Sequence, residues 1–280
     1  MVALHGAYGA PSDWDAVWSA LEGGGVVGHR ICPFLPGHDP DAQDADDSVP
    51  SICGELSIWG QGLAALTEAV VDGAGPVGPL HLVGYSMGAR LALGLAFDPT
   101  LRGRVRRLTL VSGSAGIDDD DDQDGAKEDA NEGERRTRAA VDDERAAALV
   151  ADPARFLADF WAMPLFSSLR RHPGFEAALA ARVARAQKHP ARLAAWMAGL
   201  SVGRQPSYWT TLPDLPGDVE VDLVVGADDA AYVAHAARFA RVLRRARVHT
   251  VENAGHSLLI EAPHAVASVI AGRDVARSTS

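Results

Sequence analysis

Residues 80–97, Leu-His-Leu-Val-Gly-Tyr-Ser-Met-Gly-Ala-Arg-Leu-Ala-Leu-Gly-Leu-Ala-Phe, constrain the fold more than any other stretch of the chain. The apolar run Leu80–Val83 reads as a buried strand, Gly84-Tyr85-Ser86-Met87-Gly88 as a tight turn, and Ala89–Phe97 as a helix. A G-x-S-x-G turn between a strand and a helix is the pattern of a nucleophile elbow, which holds a serine hydroxyl exposed on a sharp bend. The flanking glycines serve there because two backbones approach where a Cβ would intrude.

The rest of the chain supplies the sheet that such an elbow needs. Short β-prone runs recur at Val2–His5, Val26–Ile31, Leu80–Val83, Val105–Val111, Val219–Val225 and Arg247–Val251. Helical patterns cover Asp13–Leu21, Ile58–Val71, Ala89–Phe97, Tyr232–Arg244 and Pro263–Ala271. Apolar strands alternating with helices predict an α/β fold with a mostly parallel sheet buried on both faces. At 280 residues and 47% hydrophobic content, the chain holds one large domain with room for an inserted subdomain. Between Ser112 and about Leu215 the rhythm breaks into Ala- and Arg-rich helical segments without a strand candidate. An insertion at that point sits over the carboxyl ends of the strands, where open sheets bind ligands. Residues 113–215 are therefore expected to form a helical lid on a core of residues 1–112 and 216–280. The first strand begins at residue 2, so edge strands that usually precede it are expected to be missing, unless the true start lies upstream.

The net charge of −11 is mostly local, because residues 118–134 alone carry −9. Like charge at that density repels itself, so a disordered, solvated acidic loop is expected at about 117–134. An acidic chain is a poor partner for nucleic acid. No apolar run reaches the length of a membrane span, and no signal peptide is visible. Cys32 and Cys53 have no C-x-x-C spacing and no clustered His, so two reduced thiols in a cytoplasmic protein, without a metal site, are expected. Of 26 basic residues only Lys127 and Lys188 are lysine.

A serine becomes a useful nucleophile or base when a histidine takes its proton and a carboxylate orients that histidine. In a sheet of this kind the acid and then the histidine follow later strands. Val221–Val225 runs into Gly226-Ala227-Asp228-Asp229, and Val248–Val251 into Glu252-Asn253-Ala254-Gly255-His256. His256 is the one histidine just past the last strand with a helix following. Spacing after Gly226 favours Asp229 over Asp228 as the acid. Two backbone N–H groups should form an oxyanion hole. One is that of Met87, after the nucleophile, and the other that of Ala7, in the Gly-rich turn His5-Gly6-Ala7-Tyr8-Gly9. His5 and His38 are expected to be structural.

These landmarks, in this order, resemble the α/β-hydrolase superfamily along nearly the whole chain. Three segments narrow the resemblance: Gly84-Tyr85-Ser86-Met87-Gly88-Ala89-Arg90, Asp159–Leu169 and Gly199–Trp209. Together they are similar to the 2-succinyl-6-hydroxy-2,4-cyclohexadiene-1-carboxylate synthase (MenH) family. That resemblance implies a lyase, not a hydrolase, in which the activated serine removes a ring proton and pyruvate leaves, with no metal or organic cofactor. It implies a small polycarboxylate substrate gripped by arginines, the side chain suited to bidentate carboxylate binding. The matching substrate positions are Tyr85, Arg90, Arg138, Phe160 and Arg185. Arg135, Arg136 and Arg182 read as solvated helix faces.

The chain also departs from the family. Members commonly carry a Glu two residues before the triad Asp and a Lys-Phe pair after it, where this chain has Ala227, Ala231 and Tyr232. Leu259 stands where a second His often follows the catalytic one, and Gly37-His38-Asp39 replaces the usual Gly-His-Gly. A serine esterase or other hydrolase acting on a small carboxylated substrate through the same triad is the main alternative. A non-catalytic binding scaffold is a third, disfavoured because binding makes no demand for three triad residues.

Overall fold

Five strands, β1 (Val2–Leu4), β2 (Leu80–Tyr85), β3 (Val105–Val111), β4 (Glu220–Gly226) and β5 (Ala246–Val251), form one sheet in the order β1-β2-β3-β4-β5. Every neighbouring pair is parallel, so every connection must cross over. The computed structural model describes residues 1–26, 28–42, 57–118 and 125–273. Helices α1 (Asp15–Gly23) and α2 (Ile58–Ala74) precede β2, and α3 (Met87–Phe97) precedes β3. Helices α4 (Gly125–Ala151), α5 (Pro153–Trp161), α6 (Phe175–Ala186) and α7 (Pro190–Gly199) lie between β3 and β4. Helix α8 (Ala230–Val242) follows β4, and α9 (Leu258–Glu261) and α10 (Pro263–Ile270) follow β5.

The strands bury both faces because side chains alternate between them with a period of two. Leu80 and Leu82, Leu108 and Leu110, and Val221, Leu223 and Val225 pack toward Trp59, Leu66 and Val70 of α2, Leu91 and Leu95 of α3, and Phe239 of α8. Val83 and Tyr85, Val111, Val224 and Val251 face the other way, onto Trp14, Val17 and Leu21 and onto Val266 and Val269 of α10. Each such Leu or Val contributes about 1.5–3 kcal/mol when fully buried. Among the described residues the expected strand Val26–Ile31, of which Val27 lies outside them, is reduced to one parallel bridge between Ile31 and Val2 of β1. Its centre, Gly28-His29-Arg30, has no apolar side chain to bury against the sheet.

Helices α4–α7 have apolar clusters of their own, one built on Leu149, Phe156, Leu157 and Leu193, another on Trp161, Phe166 and Leu169. The first also contains Tyr8, from the loop after β1, so this helical layer meets the sheet at its carboxyl edge. The acidic stretch is not a loop throughout, because α4 starts at Gly125 and residues 125–134 are helical. Within the stretch, Glu132 pairs with Arg136 one turn on (3.3 Å). Asp118, ahead of α4, pairs with Arg238 of α8. Residues 119–124 of the acidic stretch, and Cys53, lie outside the described residues. Cys32 is half-buried, and its thiol donates to the carbonyl of Pro11. Among the described residues no helix is long and apolar enough to cross a membrane.

One charged cluster sits inside the sheet. The Asp222 carboxylate of β4 is buried and accepts from Arg107 Nε (2.7 Å), His249 Nε2 (2.9 Å) and Arg247 Nε (3.1 Å). Arg107 also donates to the carbonyls of Val269 (2.6 Å) and Ile270 (2.9 Å), tying the carboxyl end of α10 to the sheet. Burial pushes the Asp222 carboxyl up, but His249 and Arg107 hold it well below the ordinary carboxylate range. Replacing Asp222 with Asn leaves half-buried Arg107 without its counter-charge. It is expected to lower unfolding stability by about 3 kcal/mol in a urea titration at pH 7.

Candidate active site

The first parts of the site are backbone features at the carboxyl ends of the strands. Ser86 follows β2 with φ 52° and ψ −113°, a conformation that L residues rarely adopt. A Cβ on Gly84 would overlap the carbonyl of Gly88, and one on Gly88 would overlap the carbonyls of Leu4 and His5. Glycine at both positions lets the bend close against β1. Tyr8, Ser112 and Asn253 also have positive φ, and each follows the end of a strand. Backbone strain is thus gathered at one edge of the sheet, as it commonly is where function resides.

Three side chains from separate strand ends meet there. His256 Nε2 is 3.0 Å from Ser86 Oγ, and His256 Nδ1 is 2.7 Å from Asp229 Oδ2. The Asp229 carboxylate is an acceptor, so the ring proton is assigned to Nδ1, leaving Nε2 to accept from the serine hydroxyl. The neighbouring Asp228 is exposed, and its N–H donates to the carbonyl of Ala254. The structure therefore brings Ser86, His256 and Asp229 together and leaves Asp228 outside. The histidine loop is fastened on both sides: Glu261 accepts from Gly255 N–H (2.8 Å) and Ser257 N–H (3.0 Å). The Ser112 hydroxyl donates to the carbonyl of His256 (3.1 Å). Tyr232, Tyr85 and Phe166 wall the imidazole, with ring centroids 4.5, 5.8 and 5.8 Å away.

Ala7 and Met87 line the same cavity as Ser86. Met87 is the first residue of α3, where helix geometry leaves the N–H without an intrahelical acceptor. The turn that carries Ala7 is held by two histidines. His5 Nε2 accepts from Leu35 N–H (3.1 Å) while Nδ1 donates to the Gly6 carbonyl (2.9 Å). His38 Nε2 accepts from Tyr8 N–H (3.2 Å) while Nδ1 donates to the Pro36 carbonyl (3.0 Å). Both rings must be neutral to do this. Burial pushes His38 down to about 4, and burial with His38 alongside pushes His5 well below its usual value.

The cavity has a volume of about 360 Å³, within the range of small-molecule sites. Tyr85, Arg90, Arg138 and Phe160 line it, as do Tyr8, Asp142, Arg145, Arg182, Ser201 and Tyr232. Arg90 is buried beside Trp59, with its guanidinium carbon 5.5 Å from the ring centroid. Its hydrogen-bond acceptors are neutral oxygens, the Leu200 carbonyl and Gln205 Oε1. Burial pushes Arg90 down to about 10. Arg185 is not part of the lining. It lies behind Tyr8 in a separate small recess and reaches Asp13 at 3.9 Å. Arg182, one turn earlier on α6, faces the cavity instead, buried, 2.6 Å from Asp13 and stacked 4.6 Å over Trp161. Nor is Arg135 a merely solvated residue, since it donates to the carbonyls of Gln205 and Ile117. Sequence reasoning missed Tyr8, Asp142, Arg145, Ser201 and the role of Arg182. For Asp142 and Arg145 the one signal was helical spacing, with Arg138, Asp142 and Arg145 three or four apart on one face. Among the described residues no cluster of His, Cys, Asp or Glu could hold a metal ion.

A parallel sheet with an elbow serine after β2, an acid after β4 and a histidine after β5 defines an α/β hydrolase. The chain belongs to the alpha/beta hydrolase family, which it matches over residues 1–269. It is 28% identical over 271 residues to the chloroplastic protein PHYLLO of Arabidopsis thaliana, covering 93% of this chain and 14% of that protein. It is 30% identical over 192 residues to a putative 2-succinyl-6-hydroxy-2,4-cyclohexadiene-1-carboxylate synthase of Bacillus subtilis, covering 68% of this chain and 64% of that protein. Of these two relatives it therefore spans a small part of one and just under two thirds of the other. The synthase of that name from Klebsiella pneumoniae is 28% identical over 272 residues, covering 97% of this chain and 92% of the relative. Among solved structures, MenH from S. aureus matches with a TM-score of 0.78 at 24% identity, over 97% of this chain and 91% of that one. A thermophilic esterase from Thermogutta terrifontis matches with a TM-score of 0.68 at 21% identity, over 97% of this chain and 87% of that one.

The histidine braces carry a pH signature. His38 titrates near 4 in the fold against an ordinary 6.5, so its contribution is complete above 6.5 and is lost as pH falls toward 4. A loss of about 3 kcal/mol by pH 4 is expected from this group. Urea unfolding of the wild type and of His38→Gln at pH 7, 5.5 and 4 measures it, with a shallower fall in the variant.

Proposed function

We propose that this protein is a carbon–oxygen lyase of menaquinone biosynthesis. Its substrate is 2-succinyl-5-enolpyruvyl-6-hydroxy-3-cyclohexene-1-carboxylate, from which it eliminates pyruvate. The carrying observation is Arg90, a buried guanidinium beside Ser86 whose partners are all neutral oxygens. A cation taken out of water without a counter-charge is costly, and a carboxylate delivered by a ligand relieves that cost. Among the described residues, four arginines (Arg90, Arg138, Arg145 and Arg182) line the cavity, against Asp142 in the lining and Asp13, which pairs with Arg182. That balance suits a polycarboxylate. The named relatives, at 26–30% identity for the synthases, support the same reading.

In this reading His256 Nε2 takes the Ser86 proton as the serine oxygen removes a proton from the ring carbon. The electron pair left on C2 forms the C2=C3 bond, the existing C3=C4 pair shifts to C4=C5, and the bond from C5 to the enolpyruvyl oxygen breaks. Negative charge develops on the departing enolate oxygen, where the N–H groups of Ala7 and Met87 stabilise it. The imidazolium returns its proton, pyruvate leaves, and the cyclohexadiene product remains. Asp229 keeps the imidazole in the required tautomer. Helices α4–α7 act as a lid that excludes water from the cavity.

A serine esterase acting on a small carboxylated ester would use the same residues, and the likeness in fold to the Thermogutta enzyme favours it as the second reading. Incubating purified protein with the enolpyruvyl substrate and following pyruvate through a coupled dehydrogenase separates the two. Release by the wild type is expected, with Ser86→Ala slower by at least about 10³-fold. Turnover of short nitrophenyl esters with no pyruvate release overturns the lyase reading.

A further inference from the structure

The turn Leu200–Gln205, between α7 and β4, touches Arg90 of the cavity's cationic wall directly and Arg138 and Arg145 through Asp142. Its Leu200 carbonyl and Gln205 side chain hold Arg90. Its Ser201 hydroxyl donates to Asp142 Oδ2 at 2.6 Å, and accepts from Gly203 N–H at 3.0 Å. A Cβ on Gly203 would overlap the backbone of α4 at Arg135 and Ala139, so α4 is seated directly on this turn. Asp142 is nearly buried, and besides Ser201 it accepts from Arg138 Nε and Arg145 Nη1, each at 2.9 Å.

A carboxylate in the lining of an anion site is at first sight misplaced, because it repels the ligand. Its contacts give it another use. Arg138 is 43% exposed, and an exposed arginine samples many rotamers unless something fixes it. Asp142 fixes it by Nε, which leaves the edge bearing the two terminal amines for a ligand. Burial pushes the Asp142 carboxyl up, but Arg138, Ser201 and Arg145 hold it below the ordinary carboxylate range, which keeps it an acceptor. The geometry points to Asp142, steered by Ser201, as a positioning residue that presents Arg138 to one carboxylate of the substrate. This rests on the reading of the cavity as a polycarboxylate site.

Charge and position predict opposite signs, which makes the test sharp. The readout is labelling of Ser86 by a small neutral fluorophosphonate, with citrate as the competing polycarboxylate at constant ionic strength. Each variant's protection is normalised to its own rate without citrate. If Asp142 acted only as a charge, Asp142→Asn would tighten citrate binding. The positioning role predicts that Asp142→Asn weakens it, by at least about tenfold for one lost charge-assisted hydrogen bond. Ser201→Ala, which leaves the charge untouched, weakens it in the same direction. In an Arg138→Ala background Asp142→Asn then has less than about a twofold further effect, because the two act as one unit. Tighter binding in Asp142→Asn, unchanged binding in both variants, or full additivity with Arg138→Ala overturns the inference. If citrate protects the wild type, the polycarboxylate reading stands whatever the variants do. If it does not, that reading falls and this inference falls with it.

Discussion

The site depends on one sharp bend. Ser86 adopts a positive φ that costs about 1–3 kcal/mol and persists only because its surroundings leave no alternative. The surroundings are the carbonyls of Leu4, His5 and Gly88, packed so closely that glycine alone fits at positions 84 and 88. That packing presses the first turn of α3 against the end of β1. It thereby puts the N–H of Met87 and the turn bearing Ala7 on the same side of the serine. The histidine loop arrives from β5 and is clamped by Glu261 and Ser112, so the imidazole has little freedom to leave the hydroxyl. The geometry is bought largely with backbone hydrogen bonds, which explains the two neutral, buried histidines under the turn.

Electrostatics divides the molecule into two kinds of charged cluster. Around Asp222 the carboxylate is saturated by Arg107, Arg247 and His249, and the result is a closed structural joint between sheet and α10. Around Ser86 the balance is reversed, with more guanidinium than carboxylate, and Arg90 held by neutral oxygens. The first arrangement needs nothing further. The second is the one to which the proposed polycarboxylate would bind.

The expectations from sequence succeeded and failed for different physical reasons. Strands β1–β5 and helices α1–α3, α8 and α10 were legible because each carries a strong period of its own, and the elbow because its glycines are steric requirements. The strand at Val26–Ile31 shrank to one bridge because its polar centre has nothing to bury. The acidic stretch was expected as a loop, yet from Gly125 onward it is helical, with Glu132 paired to Arg136 one turn on. On α6 the arginines at 182 and 185 are equivalent in type. Which of them faces the cavity depends on how α6 rotates against Asp13 and Trp161, the first of them 169 positions from Arg182.

By itself, then, the chain determined the parallel sheet, the elbow, and the order serine, acid, histidine, because local sterics and periodicity act over a few residues and are written where they act. The choice of Asp229 was suggested by spacing and met by a 2.7 Å contact. Only the tertiary structure decided the wall of the cavity: Arg182 in place of Arg185, Tyr232 against the imidazole, and Asp142 tied to Ser201. Those outcomes rest on how helices pack across the sheet edge, and packing is a property of surfaces that meet, not of the segments that supply them.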